Sequence, residues 1–355
     1  MEELVTSLHL HTRYSDGHAT HQQLAQIALK NGIDVLLTTD HNVYVQGVDG
    51  YYEGANRKLL LLAGEEIHDQ GRNPQKSHLL VFGAGRELAT FAPEPQNLIN
   101  QVNRYGGLPI LAHPYERALP AFHEPDISWD DWDVDGYAGL ELWNGLSEFK
   151  TASKTVLHAL FYALFPSYLA HGPDERVLEK WDSLLAQGKR LTAVGGADAH
   201  ALPVRLGPIR RILYPYAYHF QAVTTHLLTP SGLSGNLLED RRMVMEALRQ
   251  GHAFIGYDLP AATSGFRFSG QGRSLTAIPG DEIALEGGVT FQIRLPQPAE
   301  CQLIKDGAVI KVWRRNEFCT YMASQPGVYR VVCYIHYRGR RRTWILSNPI
   351  YVRAA

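Results

Sequence analysis

The chain has 355 residues, 45% hydrophobic and 20% charged, with a formal charge of −2. That length and apolar content allow one large domain plus a small one. The near-neutral balance lacks the electrostatic footprint of a long nucleic-acid binder, and the most apolar long segment, 155–170, is too short for a membrane span and carries His158 and Pro166. A soluble protein is expected, and the three cysteines, Cys301, Cys319 and Cys333, at no zinc-like spacing, read as reduced thiols of a cytoplasmic one. With the first motif already at His9, no leader segment is expected.

Strand-like runs alternate with helix-like patterns over roughly the first 260 residues. The apolar run "VTSLHLH" leads into "THQQLAQIALKNG", a helix pattern with Thr20 as N-cap and Gly32 as its stop. "DVLLTTDH", "LLLLAGEEI", "SHLLVFG", "LPILAHP", "GLELWN" and "RLTAVGGADAH" follow, with "PQNLINQVNRYGG" as a further helix before the fifth strand. Alternating βα units imply a parallel sheet wrapped by helices. Residues 146–190 form a helical insert, either extra core, a dimer surface or a lid over a pocket. From about Gly265 the pattern switches to period-2 alternation with hairpin turns such as Lys305-Asp306-Gly307, so a small β domain is expected over 263–355 after a large α/β domain over 1–262. The basic run "RGRRR" at 338–342 reads as a solvated hairpin turn, with a polyanion contact as the sharper alternative.

Chemistry-bearing residues sit at the strand ends. In order these are His9 and His11; Asp40 and His41; Glu65 and Glu66; His78, at the start of its strand; His113; Glu141 and Asn144; Asp198 and His200. In closed α/β barrels one rim collects the catalytic groups of several strands, so residues 9–11 and 198–200 are expected to face one centre. Imidazoles and carboxylates without thiolates suit zinc, manganese or iron. Strand alternation would put His9 and His11 on one face, likewise Asp198 and His200, while only one of Glu65 and Glu66 can point inward.

The segments "HLHTRYSDG", "TTDHN", "GEEIH", "SHLLVFG", "LAHP" and "GGADAH", in this order, resemble the signature motifs of the PHP (polymerase and histidinol phosphatase) superfamily of metal-dependent phosphoesterases. The resemblance covers roughly residues 4–260 and implies a distorted seven-stranded β/α barrel with two or three divalent metals. It implies one metal on His9, His11 and Asp198, a second on His78 and His113, Glu66 bridging the two, and a third on Asp16, His41 and His200. Asp40 would orient a ligand by hydrogen bonding, and Glu65 and Glu141 would be structural. The ending "WILSNPIYV" resembles two-domain members with an immunoglobulin-like tail.

Such a site implies hydrolysis by a metal-bound hydroxide, with Asp16, His41, Asp198 and His200 as its catalytic groups. Arg205, Arg210, Arg211 and His219, directly after the last ligands, Arg13, inside the first motif, and Tyr115, just after "LAHP", are the candidate contacts to a small phosphorylated substrate or nucleotide. The alternatives are a carbamate or aryl ester hydrolase, a 5′-end oligonucleotide exonuclease, and a binding protein with a retired barrel. Long nucleic acid and membranes are not expected partners, and a homo-oligomer remains open.

Overall fold

The computed structural model describes residues 1–120, 124–169, 171–206 and 209–354, leaving aside the side chains of 204–206, 209 and 210. β1 (Glu2–Leu8) leads to α1 (His21–Lys30), whose start is fixed by a capping box. Thr20 Oγ1 accepts from Gln23 N at 3.2 Å, and the Gln23 side chain accepts from Thr20 N at 2.9 Å. β2 (Val35–Thr38), β3 (Gly50–Glu53), β4 (Lys58–Ile67), β5 (Leu79–Phe82), α2 (Pro95–Arg104), β6 (Leu108–Leu111) and β7 (Gly139–Asn144) follow. The insert contributes α3 (Gly145–Ala152), α4 (Val156–Leu164) and α5 (Glu175–Ala186) before β8 (Thr192–Gly196).

β1, β2 and β4 pair in parallel, as do β6, β7 and β8. The expectation of an all-parallel sheet fails at β5, which is antiparallel to both β4 and β6. The reason is local: 68–78, between β4 and β5, holds no helix and is too short for a parallel crossover. This reversal puts the start of β5 on the same rim as the ends of β4 and β6. Past β8 the chain returns to the end of β1, with Ala197 N donating to Leu8 O at 3.0 Å and His11 N to Ala199 O at 3.1 Å.

The insert does not form one long helix. Thr155 caps a fresh start by accepting from His158 N, and of α4 only Ala159 is buried. Leu157, Leu160, Phe161 and Leu164 stay exposed, so α4 adds no core.

After the hairpin β9 (Leu202–Leu206) and β10 (Ile209–Leu213) and the short α6 (Tyr216–His219), β11 (Val223–Thr229) runs antiparallel to β1. α7 (Leu237–Gln250) ends on Gly251 at φ +73, a left-handed cap, and β12 (Ala253–Tyr257) joins β11. The C-terminal strands are β13 (Arg267–Gln271), β14 (Thr276–Ala277), β15 (Glu282–Leu285), β16 (Val289–Lys305), β17 (Ala308–Ala323), β18 (Gly327–Tyr337), β19 (Arg340–Ser347) and β20 (Ile350–Ala354). They enclose a core that includes Phe268, Phe291, Tyr329, Trp344 and the three cysteines, which are free and buried.

The two parts share hydrogen bonds. β19 pairs with β12, Asn348 spans Ala193 and Ala253, and Arg330 forks onto Asp182 of α5 at 2.6 and 2.9 Å. The basic run does make a hairpin turn at Arg338-Gly339, both at positive φ. It is not wholly solvated, because the Arg342 side chain is 1% exposed, turned inward against the insert. Among the described residues no helix is long and apolar enough to cross a membrane.

Candidate metal centre

Three rim residues have left-handed backbone, His9 (φ 63), His113 (φ 25) and Asp198 (φ 47). Such φ values cost non-glycine residues free energy and collect at functional sites. They also correct the reason His9 and His11 converge: β1 ends at Leu8, and the break at His9, not strand alternation, aims the pair. Gly196 serves the same centre. A Cβ there would overlap Glu141 Oε1 and press on His9 Cβ, so glycine is required for that approach.

Glu66 stands in the middle, 1% exposed. Its backbone is held beside 40–42, with Glu66 N donating to Asp40 O and Asn42 N to Glu66 O. Its Oε2 lies 3.0 Å from His9 Nε2, 3.2 Å from His11 Nε2 and 3.2 Å from His41 Nδ1. Its Oε1 lies 2.7 Å from His78 Nδ1 and 3.0 Å from His113 Nε2. Asp198 Oδ1 is 3.4 Å from His11 Nε2 and 3.6 Å from both His9 Nε2 and His200 Nδ1. At the mouth, Asp16, half exposed, is 3.2 Å from His200 Nε2 and 3.7 Å from both His11 Nδ1 and His41 Nε2. The structure therefore brings together all nine residues the motifs single out.

Burial disfavours charge on these imidazoles, but the carboxylates overcome it where they are close. Glu141, Asp198 and Glu66 hold His9 well above its ordinary value, and His11 and His113 rise to about 9. At His41 burial wins, helped by His11 and His78, and the pKa falls to about 3. Glu66 and Asp198, despite burial, are kept far below the carboxylate range by their histidines.

Both ring nitrogens of His11, Nδ1 of His41 and Nδ1 of His113 make no hydrogen bond among the described residues, although all are buried. Orphaned buried imidazole nitrogens are costly. Among the described residues five groups place their donor atoms within 4.8 Å of one another, including His11, Asp16, His41 and His200; His9, His113 and Asp198; and Glu66, His78 and His113. A buried set of imidazoles and carboxylates with unpartnered nitrogens fits divalent cations.

Other expectations fare differently. Among the described residues the Asp40 side chain bonds no ligand side chain; it accepts from Thr12 N at 2.7 Å, Thr12 Oγ1 at 2.7 Å and Ser15 Oγ at 2.8 Å, and so shapes the loop that carries Asp16. Glu65 points to Leu88 and Glu87, and burial with Glu87 beside it pushes its pKa up to about 10. Glu141 is more than a structural residue. Its Oε1 accepts from His9 Nδ1 at 2.8 Å, and its Oε2 from His113 N at 2.8 Å and Asn144 Nδ2 at 3.0 Å. A bulge between Glu141 and Trp143 makes this possible, since residues three apart would otherwise face opposite sides of β7. Asn144 also donates to Asp198 Oδ2 at 3.1 Å.

His68, which adjoins "GEEI" without falling on a ligand position, stacks on His78 at 4.4 Å and groups with it and His41 as a further set of candidate donors. The sequence reading missed one residue outright. Buried Glu116 lies 3.6 Å from His113 Nδ1 and is held by Lys150 and Ser147 of α3, both at 2.5 Å. "GLELWN" signalled a carboxylate near the rim; nothing in "HPYERALP" distinguished Glu116 from a surface residue.

A cavity of about 340 Å3 opens beside His113, Glu141 and Asn144. Tyr115 lines it, under Arg176 at 4.8 Å. Arg117 and Arg176 are the arginines on its wall. The arginines expected there lie elsewhere: Arg13 is exposed and donates to His18 O, and Arg211 is exposed and reaches Leu164 O. Arg205 and Arg210 pair through their backbones in the β9–β10 hairpin, and their side chains fall outside the described residues. His219 is buried against the other side of the site, with Asp198 and His200 on the wall of a small adjoining cavity, and burial lowers it to about 4.

Residues 7–140 match the family model of the PHP domain. Over 147 residues the chain is 26% identical to MJ1587 of Methanocaldococcus jannaschii, an uncharacterized protein; the match spans 36% of this chain and 77% of that protein. A two-domain protein from Bacteroides vulgatus containing a predicted PHP-like metal-dependent phosphoesterase overlaps 98% of this chain and 95% of its own, at 14% identity and a TM-score of 0.44. An amidohydrolase from Chromobacterium violaceum overlaps 59% of this chain and 92% of its own, at 15% identity and a TM-score of 0.29. Overlaps this loose say nothing of a substrate.

Proposed function

We propose that the chain is a metal-dependent hydrolase acting on a small phosphate ester. The observation that carries this reading is Glu66, one buried carboxylate whose two oxygens serve two separate sets of imidazoles. His9, His11 and Asp198 would hold one cation, His78 and His113 a second, Glu66 both, and Asp16, His41 and His200 a third. Bound divalent cations supply water activation at neutral pH and neutralise charge on phosphoryl oxygens.

The chain's own groups do the rest. Glu141 fixes His9 in the tautomer that leaves Nε2 for a ligand role, and Asn144 steadies Asp198. Where no third cation is bound, Asp16 and His200, 3.2 Å apart at the mouth, would share a proton that the leaving oxygen takes up. Residues 1–262 would carry this chemistry on a closed seven-stranded barrel, a reading supported by the hydrogen bonds from 197–199 back to β1. Residues 263–355 would form an immunoglobulin-like sandwich.

One observation favours a second reading. The cavity beside the centre is walled by Pro114, Tyr115, Leu142 and Trp143, which suits an aromatic leaving group and so an aryl ester or carbamate. Hydrolysis of bis-p-nitrophenyl phosphate, p-nitrophenyl phosphate and an aryl carbamate with added manganese, by wild type and Asp198→Ala, separates the two. Phosphate ester turnover that vanishes in the variant supports the phosphoesterase; carbamate turnover alone replaces it.

A further inference from the structure

Part of the cavity wall is formed by His171, Gly172 and Pro173 of the insert. These residues lie in no helix or strand, yet they are fixed from two sides. From within the N-terminal part, Glu148 Oε1 accepts from His171 N and from Gly172 N at 3.1 Å, while Trp143 Nε1 holds its other oxygen at 2.8 Å. From the C-terminal part, Arg342 of β19 donates through Nη1 to the carbonyls of Tyr168 at 3.0 Å and Leu169 at 3.1 Å, with His171 Nδ1 at 3.4 Å. Thr343 N donates to His171 O at 3.0 Å. Gly172 sits at φ +143, and a Cβ there would overlap Thr343 Oγ1, so the β19 backbone and this wall are in direct apposition.

A guanidinium that is 1% exposed and spent on carbonyl oxygens is an expensive way to hold a loop. An arginine fork suits the task, because it satisfies several carbonyls in one rigid plane where a lysine ammonium is a single point charge. From this we infer that the C-terminal β domain is a working part of the substrate cavity, and that Arg342 is a specificity-determining residue that fixes the wall at His171–Pro173. This rests on the hydrolase reading of the cavity. It gives the C-terminal domain a role: the β19 edge sets which leaving group the cavity accepts, while the metal ligands, all from residues 9–200, are left alone.

The test compares wild type with Arg342→Met, Arg342→Lys and, as a control, Arg341→Gln. Arg341 is the next residue along, and its side chain bonds Glu300 at 2.7 Å, away from the insert. Metal per chain, kcat and KM on bis-p-nitrophenyl phosphate, and backbone amide exchange of His171 and Gly172 are measured on the full chain. Arg342→Met should raise KM about tenfold with kcat within about threefold, the signature of lost binding rather than lost chemistry. Metal content should not change, and the two amides should exchange at least about tenfold faster. Arg342→Lys, which keeps charge and stem, should move both readouts in the same direction by less and covers the case in which the methionine variant does not fold. Arg341→Gln should match wild type.

Unchanged KM in a folded Arg342 variant overturns the inference, and so does loss of metal with KM intact, which would place the effect at the centre. If wild type turns over none of the esters, the hydrolase reading fails on its own. The exchange rates then decide whether Arg342 holds the wall, and wild-type rates in the variants overturn that too.

Discussion

Replacing Glu141 with glutamine changes one oxygen for an NH2 and nothing in volume. Three donors now converge on the carboxylate, His9 Nδ1 on Oε1, and His113 N with Asn144 Nδ2 on Oε2. An amide keeps one acceptor. If that oxygen stays with the two donors on the Oε2 side, the new NH2 faces His9 Nδ1, which must then accept, leaving the proton on Nε2. A protonated Nε2 cannot bind a metal. If the amide turns the other way, the His113 N–H and the Asn144 amide lose their partner in a buried site, which costs about 1–3 kcal/mol. Either way metal affinity should fall about 10- to 100-fold, the usual cost of losing a carboxylate behind a ligating histidine. The assay is a competition titration of manganese or zinc against a chromophoric chelator, with circular dichroism to confirm the fold. Glu65→Gln is the comparison, since Glu65 points to Leu88. Affinity within about twofold of wild type in Glu141→Gln would refute the reasoning, because no buried carboxylate that sets a tautomer is that dispensable.

Three further outcomes follow from the same geometry. Gly196→Ala would force a Cβ into Glu141 Oε1 and against His9; overpacking of that kind costs about 1–3 kcal/mol, so thermal denaturation should show lowered stability together with reduced metal content. Manganese at about 100 times its Kd should stabilise wild type by about 2.7 kcal/mol through mass action, and His78→Ala should lose part of that gain in the same melts. His226, fully buried between Glu3 at 2.8 Å and Asp258 at 3.6 Å, provides a pH test away from the metal. Burial lowers its pKa, but Asp258 and Glu3 win and raise it from 6.5 to about 9. A raised folded-state value means stability fully present below 6.5 and lost as pH rises through about 9, on the order of a few kcal/mol. Denaturant unfolding across pH 6.5–9.5 should show that loss in wild type and its absence in His226→Gln.

Much of this centre was legible in the sequence, for a physical reason. Ligands lie at strand ends, strands are apolar runs, and so "LHLH", "TTDH", "GEE", "LAHP" and "GADAH" each mark a place where a core strand meets a polar group. What stayed hidden depends on backbone detail that composition does not carry. The reversal of β5 brings His78 to the rim from the start of its strand, and the left-handed turn at His9 replaces the alternation that the spacing suggested. The bulge after Glu141 turns a residue that reads as structural into the partner of His9. Arg342, inside a basic run that composition marks as solvent-facing, is buried because the insert that covers it is almost 175 residues away, Tyr168 O being 174 positions earlier. Non-local packing of that kind leaves no periodic trace. The cavity takes Arg117 from just past "LAHP" and Arg176 from the start of α5, which only the fold brings near.

The central claim is that Glu66 serves two cations at once. Metal per chain, measured by elemental analysis after saturation with manganese and removal of excess, tests it most directly in wild type and Glu66→Ala. Two or more ions in wild type and fewer than one in the variant is the predicted result. A variant that keeps the wild-type count, or a wild type that holds none, would contradict it.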